Sequence, residues 1–266
     1  MNKKQTNLLK KLEYFYETLN KPEFIHPDPL EFIFKYENQK DREIVGLIAS
    51  ALAYGKVAQI LKSVEKVLKI LGTSPSSFLL STTFKQLKDN LSTFKHRFTT
   101  GIEMADFLWN IRKILTKYGS LENCFLNSYS KENKTVQEAL SGFAKSLRNP
   151  DGPNSLIPSP ERGSACKRLH LFLRWMIRND DVDPGCWKTI PPSKLIVPLD
   201  THMFNIGKTL KFTKRNAANL KTAIEITNCF KKISADDPVK YDFCLTRLGI
   251  RNELTMDLLT KSQDPR

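Results

Sequence analysis

Two segments decide how this chain reads: Gly163-Ser164-Ala165-Cys166-Lys167-Arg168-Leu169-His170-Leu171-Phe172-Leu173-Arg174-Trp175-Met176 and, beyond a long loop, Val197-Pro198-Leu199-Asp200-Thr201-His202-Met203. In the first, Ala165, Leu169, Phe172, Leu173 and Met176 recur at helical spacing and make one apolar stripe to bury. Ser164 is the expected N-cap, which puts Lys167 in the first turn. The unpaired amides and dipole of a first turn repel an ammonium, so this position favours a neutral amine. Asp200 is the opposite case: at the mouth of the second helix a carboxylate is favourable because it accepts from first-turn amides. Taken by periodicity alone, Lys167 shares a face with His170, Arg174 and Arg178, and such a face reads as solvated.

The chain around these segments patterns as helices. Residues 3–19 carry a stripe of Leu8, Leu9, Leu12, Phe15, Tyr16 and Leu19, after which Pro22, Pro27 and Pro29 force an extended connection. From Asp41 a run including Ile44, Val45, Leu47, Ile48 and Leu52 is apolar nearly all round and predicts a buried helix that stops at Gly55, with Tyr54 exposed at its end. Val57 to Leu71 is the clearest amphipathic helix and closes at Gly72. Residues 75–98 predict short helices, and further helices follow over Met104–Leu115, Val136–Leu147, Asn216–Lys232 and Pro238–Leu248, with a frayed tail after Thr260. Pro150, Pro153, Pro158 and Pro160 mark one long loop, and Asp180–Ser193 is a second. No alternation or hairpin turn is recognisable, so the expected class is all-α.

Composition bounds the function. The 266 residues suffice for a large core, and 42 Lys and Arg against 28 Asp and Glu give a net charge of +14. That excess points to a polyanionic partner, because each neutralised phosphate releases condensed counterions. Lys10, Lys11 and Glu13 break the only apolar run near the N-terminus, and no later run is long enough for a spanning helix, so neither a signal peptide nor a membrane partner is expected. Cys124, Cys166, Cys186, Cys229 and Cys244 are odd in number and scattered, which predicts reduced thiols in a cytoplasmic protein and no structural metal. Positive charge concentrates after Asp200 in Lys208, Lys211, Lys214, Arg215, Lys221, Lys231 and Lys232, a phosphate-tracking surface if it is more than a solvated face.

A neutral amine beside a fixed carboxylate suits one reaction on a nucleic acid. The amine attacks C1′ of a deoxyribose as the base departs, the carboxylate offsets oxocarbenium charge, and the imine acidifies C2′ for β-elimination. The base must first leave the stack. Gly163-Ser-Ala-Cys-Lys167 and Val197-Pro-Leu-Asp200-Thr-His202-Met203 resemble the signature of the helix-hairpin-helix DNA glycosylase superfamily, and the second motif is similar to its 8-oxoguanine glycosylase branch, the archaeal enzymes included. The chain also looks like an uncharacterised bacterial family through Pro-Leu-Asp-Thr-His and Pro238-Val-Lys-Tyr-Asp-Phe243.

The glycosylase resemblance implies a two-lobed helical fold with a DNA-binding cleft, one lobe from residues 1–54 plus 195–266 and the other a central barrel over 55–194. It implies Lys167 as Schiff-base nucleophile, Asp200 as essential carboxylate and His202 near the DNA backbone. Arg162, Gly163, Lys208 and Lys211 are further DNA contacts, and Tyr54, Tyr241, Asp242 and Phe243 are candidates for the base pocket or for filling the vacated gap. The family hairpin, usually Pro-Gly-Val-Gly, is here Pro160-Glu161-Arg162-Gly163, so one of its glycines survives. No metal or organic cofactor is implied; the partner is duplex DNA with a damaged base, and the protein is expected to be a nucleoid-associated monomer. The rivals are the same fold acting on another lesion such as an oxidised pyrimidine, a non-catalytic basic DNA-binding protein, and an RNA-binding module.

Overall fold

The apolar run after Asp41 becomes a buried helix that packs against several other elements. In the computed structural model, which describes residues 3–250, this is α2 (Gln39–Ala51), with Ile44, Val45, Leu47, Ile48 and Ala49 all at 0% exposure. Before it come α1 (Lys3–Leu19) and the 3-10 turns Pro22–Phe24 and Pro29–Lys35. After it come α3 (Val57–Leu71), α4 (Pro75–Ser81), α5 (Phe84–Asn90), α6 (Gly101–Tyr118), α7 (Leu121–Leu126) and α8 (Gln137–Leu147). The chain continues through the 3-10 turn Pro160–Arg162, α9 (Lys167–Ile177), α10 (Thr201–Thr209), α11 (Leu220–Lys231) and α12 (Asp242–Ile250). The all-α expectation holds. The tail after Thr260 lies outside the described residues.

One feature departs from it. Lys95–His96 (β1) and Thr99–Thr100 (β2) pair antiparallel, His96 opposite Thr99, with Arg97 and Phe98 as a two-residue turn. Arg97 takes φ +53. Two-residue turns require left-handed backbone, for which Gly, Asn and Asp are the recognisable residues, so an Arg-Phe turn carries no sequence signal.

α2 packs against α9 and the Pro29–Lys35 turn, and also meets α3, α4 and α7. Inside α2, Glu43 is fully buried: its two oxygens accept from the Leu121 amide at 2.8 Å and from Trp187 Nε1 at 3.1 Å. That places a carboxylate on the orphan amides of α7 and ties down the loop after α9, whose Trp187 stacks among Phe125, Phe143 and Phe172. Burial nevertheless dominates and lifts the Glu43 carboxyl to about 7.

The basic face of α9 is not solvated. His170, Arg174 and Arg178 are at most 3% exposed. Arg174 pairs with Asp183 at 3.1 Å and Asp242 at 2.6 Å, while Arg178 pairs with Asp180, Asp183 and Asp237. Asp180 also accepts from Tyr16 and Asn20 of the α1 region, and Glu13 accepts from Lys240 and Tyr241. These bonds, with direct packing of α1 on α12, join the two ends of the chain to α9. The periodicity was right about which side chains share a face, but four aspartates, Asp180 and Asp183 from the loop just after α9 and Asp237 and Asp242 from far along the chain, supply the counter-charge that lets the face be buried.

Candidate functional site

The end of α2 and the start of α9 meet. α2 closes at the C-cap Leu52, and Lys167, the first residue of α9, reaches with Nζ to within 3.5 Å of the Ala53 carbonyl. Ser164 is not the N-cap expected from sequence. Cys166 occupies that position at φ +44, and Ser164 instead accepts from the Cys166 amide at 3.2 Å. The chain therefore turns through a left-handed residue immediately before Lys167, leaving the helix amides uncapped by a side chain. The half-buried lysine lies between the positive end of its own helix and the negative end of α2, so the field at its amine is not that of an isolated first turn.

Tyr54 does not stand free at a helix end. Its hydroxyl donates to the His96 carbonyl at 3.1 Å and lies 2.6 Å from Thr99 Oγ1. Its ring is stacked by Phe98 at 5.1 Å between centroids and by the Arg168 guanidinium at 4.8 Å. Arg168 donates to the Ala51 and Ser155 carbonyls, both at 2.6 Å, satisfying an orphan carbonyl of α2 while fixing the aromatic ring. Gly55, at φ +99, lets the chain turn away here; a Cβ on it would sit 3.0 Å from the Arg97 side chain. The outcome is a surface platform: Phe98, 64% exposed on the hairpin tip, with Lys56, Lys95 and Arg97 exposed around it. Sequence reasoning selected Tyr54 and missed Phe98, Arg97 and Arg168; the basic-aromatic string Lys95-His96-Arg97-Phe98 was the available signal.

Asp200 caps α10 as expected, accepting from the Met203 amide at 2.8 Å. Among the described residues no hydrogen bond or ion pair joins it to Lys167. A second carboxylate, Asp242, lies within electrostatic reach of Asp200. Asp242 is buried, gives one oxygen to Arg174 two turns along the Lys167 helix, and leaves its Oδ1 without a partner. Burial chiefly, with help from the Asp200 charge, raises the Asp242 carboxyl to about 6 against the pull of Arg174.

The remaining candidates divide by exposure. Arg162 and His202 are exposed. Gly163, at φ +74, ends the Pro160–Arg162 turn, and its carbonyl accepts from the Leu220 amide at 3.0 Å. Lys211 is exposed, whereas Lys208 is half-buried and spends its ammonium on the Lys214 and Arg215 carbonyls and on Asn216 Oδ1. Tyr241 and Phe243 are each 1% exposed. Tyr241 donates to Glu13 and Phe243 is covered by Arg174 and Arg247, so in this conformation neither offers a face to a base.

What fold and site define is a basic, predominantly helical protein with an N-terminal-turn lysine one residue's contact away from an exposed aromatic platform. The chain belongs to the family described as "Protein of unknown function (DUF2400)", which it matches over residues 28–251. No curated protein and no solved structure matches it. Among the described residues no helix is long and apolar enough to cross a membrane, and no cluster of His, Cys, Asp or Glu is suited to a metal ion.

Proposed function

We propose that this protein is a DNA glycosylase with AP-lyase activity that removes an oxidised base, foremost 8-oxoguanine, from duplex DNA. The observation that carries the reading is Lys167 itself: a half-buried amine opening a helix, its Nζ 3.5 Å from the carbonyl of Ala53, the residue before Tyr54 of the aromatic platform with its exposed Lys56, Lys95 and Arg97. Phe98 stacks into the duplex and occupies the space vacated by the damaged nucleotide, while Arg97, Lys95 and Lys56 meet the flanking phosphates. Lys167 Nζ attacks C1′ as the glycosidic bond breaks, and the base leaves with its electron pair and takes up a proton. Asp200, fixed in place as a helix cap, offsets the charge that develops on the sugar. The C1′–O4′ bond then breaks, O4′ taking a proton as the ring opens to the imine, and loss of the C2′ proton from that imine breaks the C3′–O bond. The lobes and the cleft between them belong to the same proposal.

One observation favours a second reading. Lys167 Nζ already donates to the Ala53 carbonyl, as a binding side chain would to any acceptor. On that reading this is a non-catalytic DNA-binding protein with the lysine as a phosphate contact. Borohydride trapping separates the two. The glycosylase reading predicts a covalent protein–DNA band on a duplex with 8-oxoguanine opposite cytosine, and its loss in Lys167→Gln. Absence of a band on that lesion, on oxidised pyrimidines and on an abasic site refutes the lyase chemistry.

A further inference from the structure

A concavity lies between the C-terminal end of α8 and the proline-rich loop leading to the Pro160–Arg162 turn, and Lys167 is not among its lining residues. Its volume is about 790 Å³, within the range of small-molecule sites and too large for a single phosphate. Lys145 and Arg148 line it from α8, and Arg162 faces them from the other wall. Among the described residues none of the three makes an ion pair. Glu161 is the one acidic residue of the lining. Lys145 and Arg148 have a local reason to be there, since the end of α8 favours cations. Arg162 ends a separate element, the Pro160–Arg162 turn, so the three cations reach the cleft from two elements of the chain.

The lining also defines what is not recognised. Asn154 Nδ2 is engaged by the Asn149 and Gly152 carbonyls, and Asn149 Nδ2 by Asp106. No aromatic ring is present in the lining to stack a base. Pro150, Pro158 and Pro160 stiffen the outer wall, and Arg148 is anchored by a bond to the Ile157 carbonyl, so that one cation is held in place before a ligand arrives.

We propose that this cleft is an anion site that binds a run of two or three consecutive phosphates and is indifferent to the base attached to them. The phosphates belong either to a polynucleotide backbone or to a free polyphosphate chain. The assignment stands independently of Lys167 and of any glycosylase chemistry.

The test is calorimetric titration of the full chain with inorganic tripolyphosphate, beside Lys145→Glu/Arg162→Glu, both positions being exposed. A second double variant, Lys62→Glu/Lys66→Glu on the exposed face of α3, changes net charge equally. The site predicts measurable binding by the wild type and a loss of about tenfold per cleft cation removed, with little change in the α3 variant. Lys145→Arg restores affinity relative to Lys145→Gln. No binding by the wild type overturns the proposal, as does an equal loss in both double variants, which reports net charge alone. Competition by tripolyphosphate against a fluorescent duplex identifies the backbone as the source; binding without competition identifies a free polyphosphate. A borohydride adduct tests the Lys167 reading separately, so either can fail alone.

Discussion

Glu43→Gln is the most quantitative test of the packing that positions α2 and the site at its end. Glu43 has an ordinary carboxyl value near 4.5, raised by burial to about 7. At about 1.4 kcal/mol per pH unit this corresponds to about 3 kcal/mol of preference for the protonated form in the folded state. A raised folded value means the contribution is full below pH 4.5 and is lost as pH rises through 7. Glutamine keeps the shape but removes the titration, and its amide nitrogen must face either the Leu121 amide or Trp187 Nε1, both donors, at a cost of about 1–3 kcal/mol. Urea denaturation of both proteins at pH 5, 6, 7 and 8 gives the difference in stability. Wild type exceeds the variant most at pH 5, and its advantage shrinks by about 3 kcal/mol by pH 8. His170, held near 4 by burial, and Asp242, at about 6, titrate in both proteins and cancel in the difference. A difference that stays constant within about 0.5 kcal/mol across this range would show that Glu43 does not ionise there, and the reasoning fails.

Three other outcomes follow from the same geometry. Arg174→Met strips Asp242 of its one ion pair and Asp183 of one of two, so it should cost about 3–5 kcal/mol at pH 8 and less at pH 5, where a freed Asp242 protonates; urea midpoints at both pH values measure this. Asp200→Asn preserves the cap on Met203 and should leave the thermal midpoint unchanged while abolishing base release, whereas Asp200→Ala should also lose about 1 kcal/mol of stability; single-turnover glycosylase assays beside melts distinguish them. Phe98→Ala, at a 64% exposed site, should leave stability within about 0.5 kcal/mol of wild type. It should weaken binding to lesion-bearing duplex by about 1–3 kcal/mol in fluorescence anisotropy.

The sequence by itself determined the helical class, because 3.6-residue periodicity is local and survives in α2, α3, α6 and α9 whatever they pack against. It also located Asp200, since an N-cap is written in residues adjacent along the chain. The aromatic platform depended on tertiary structure: an Arg-Phe turn has no turn signature, and Phe98 acquires meaning only because it stacks on Tyr54 from another element. The fate of the α9 basic face likewise depended on partners far along the chain. Arg174 and Arg178 are buried because Asp183 turns back on them from the loop after α9 while Asp237 and Asp242 arrive from far along the chain, and neither periodicity nor charge counting sees the ion pairs that the fold assembles at long range.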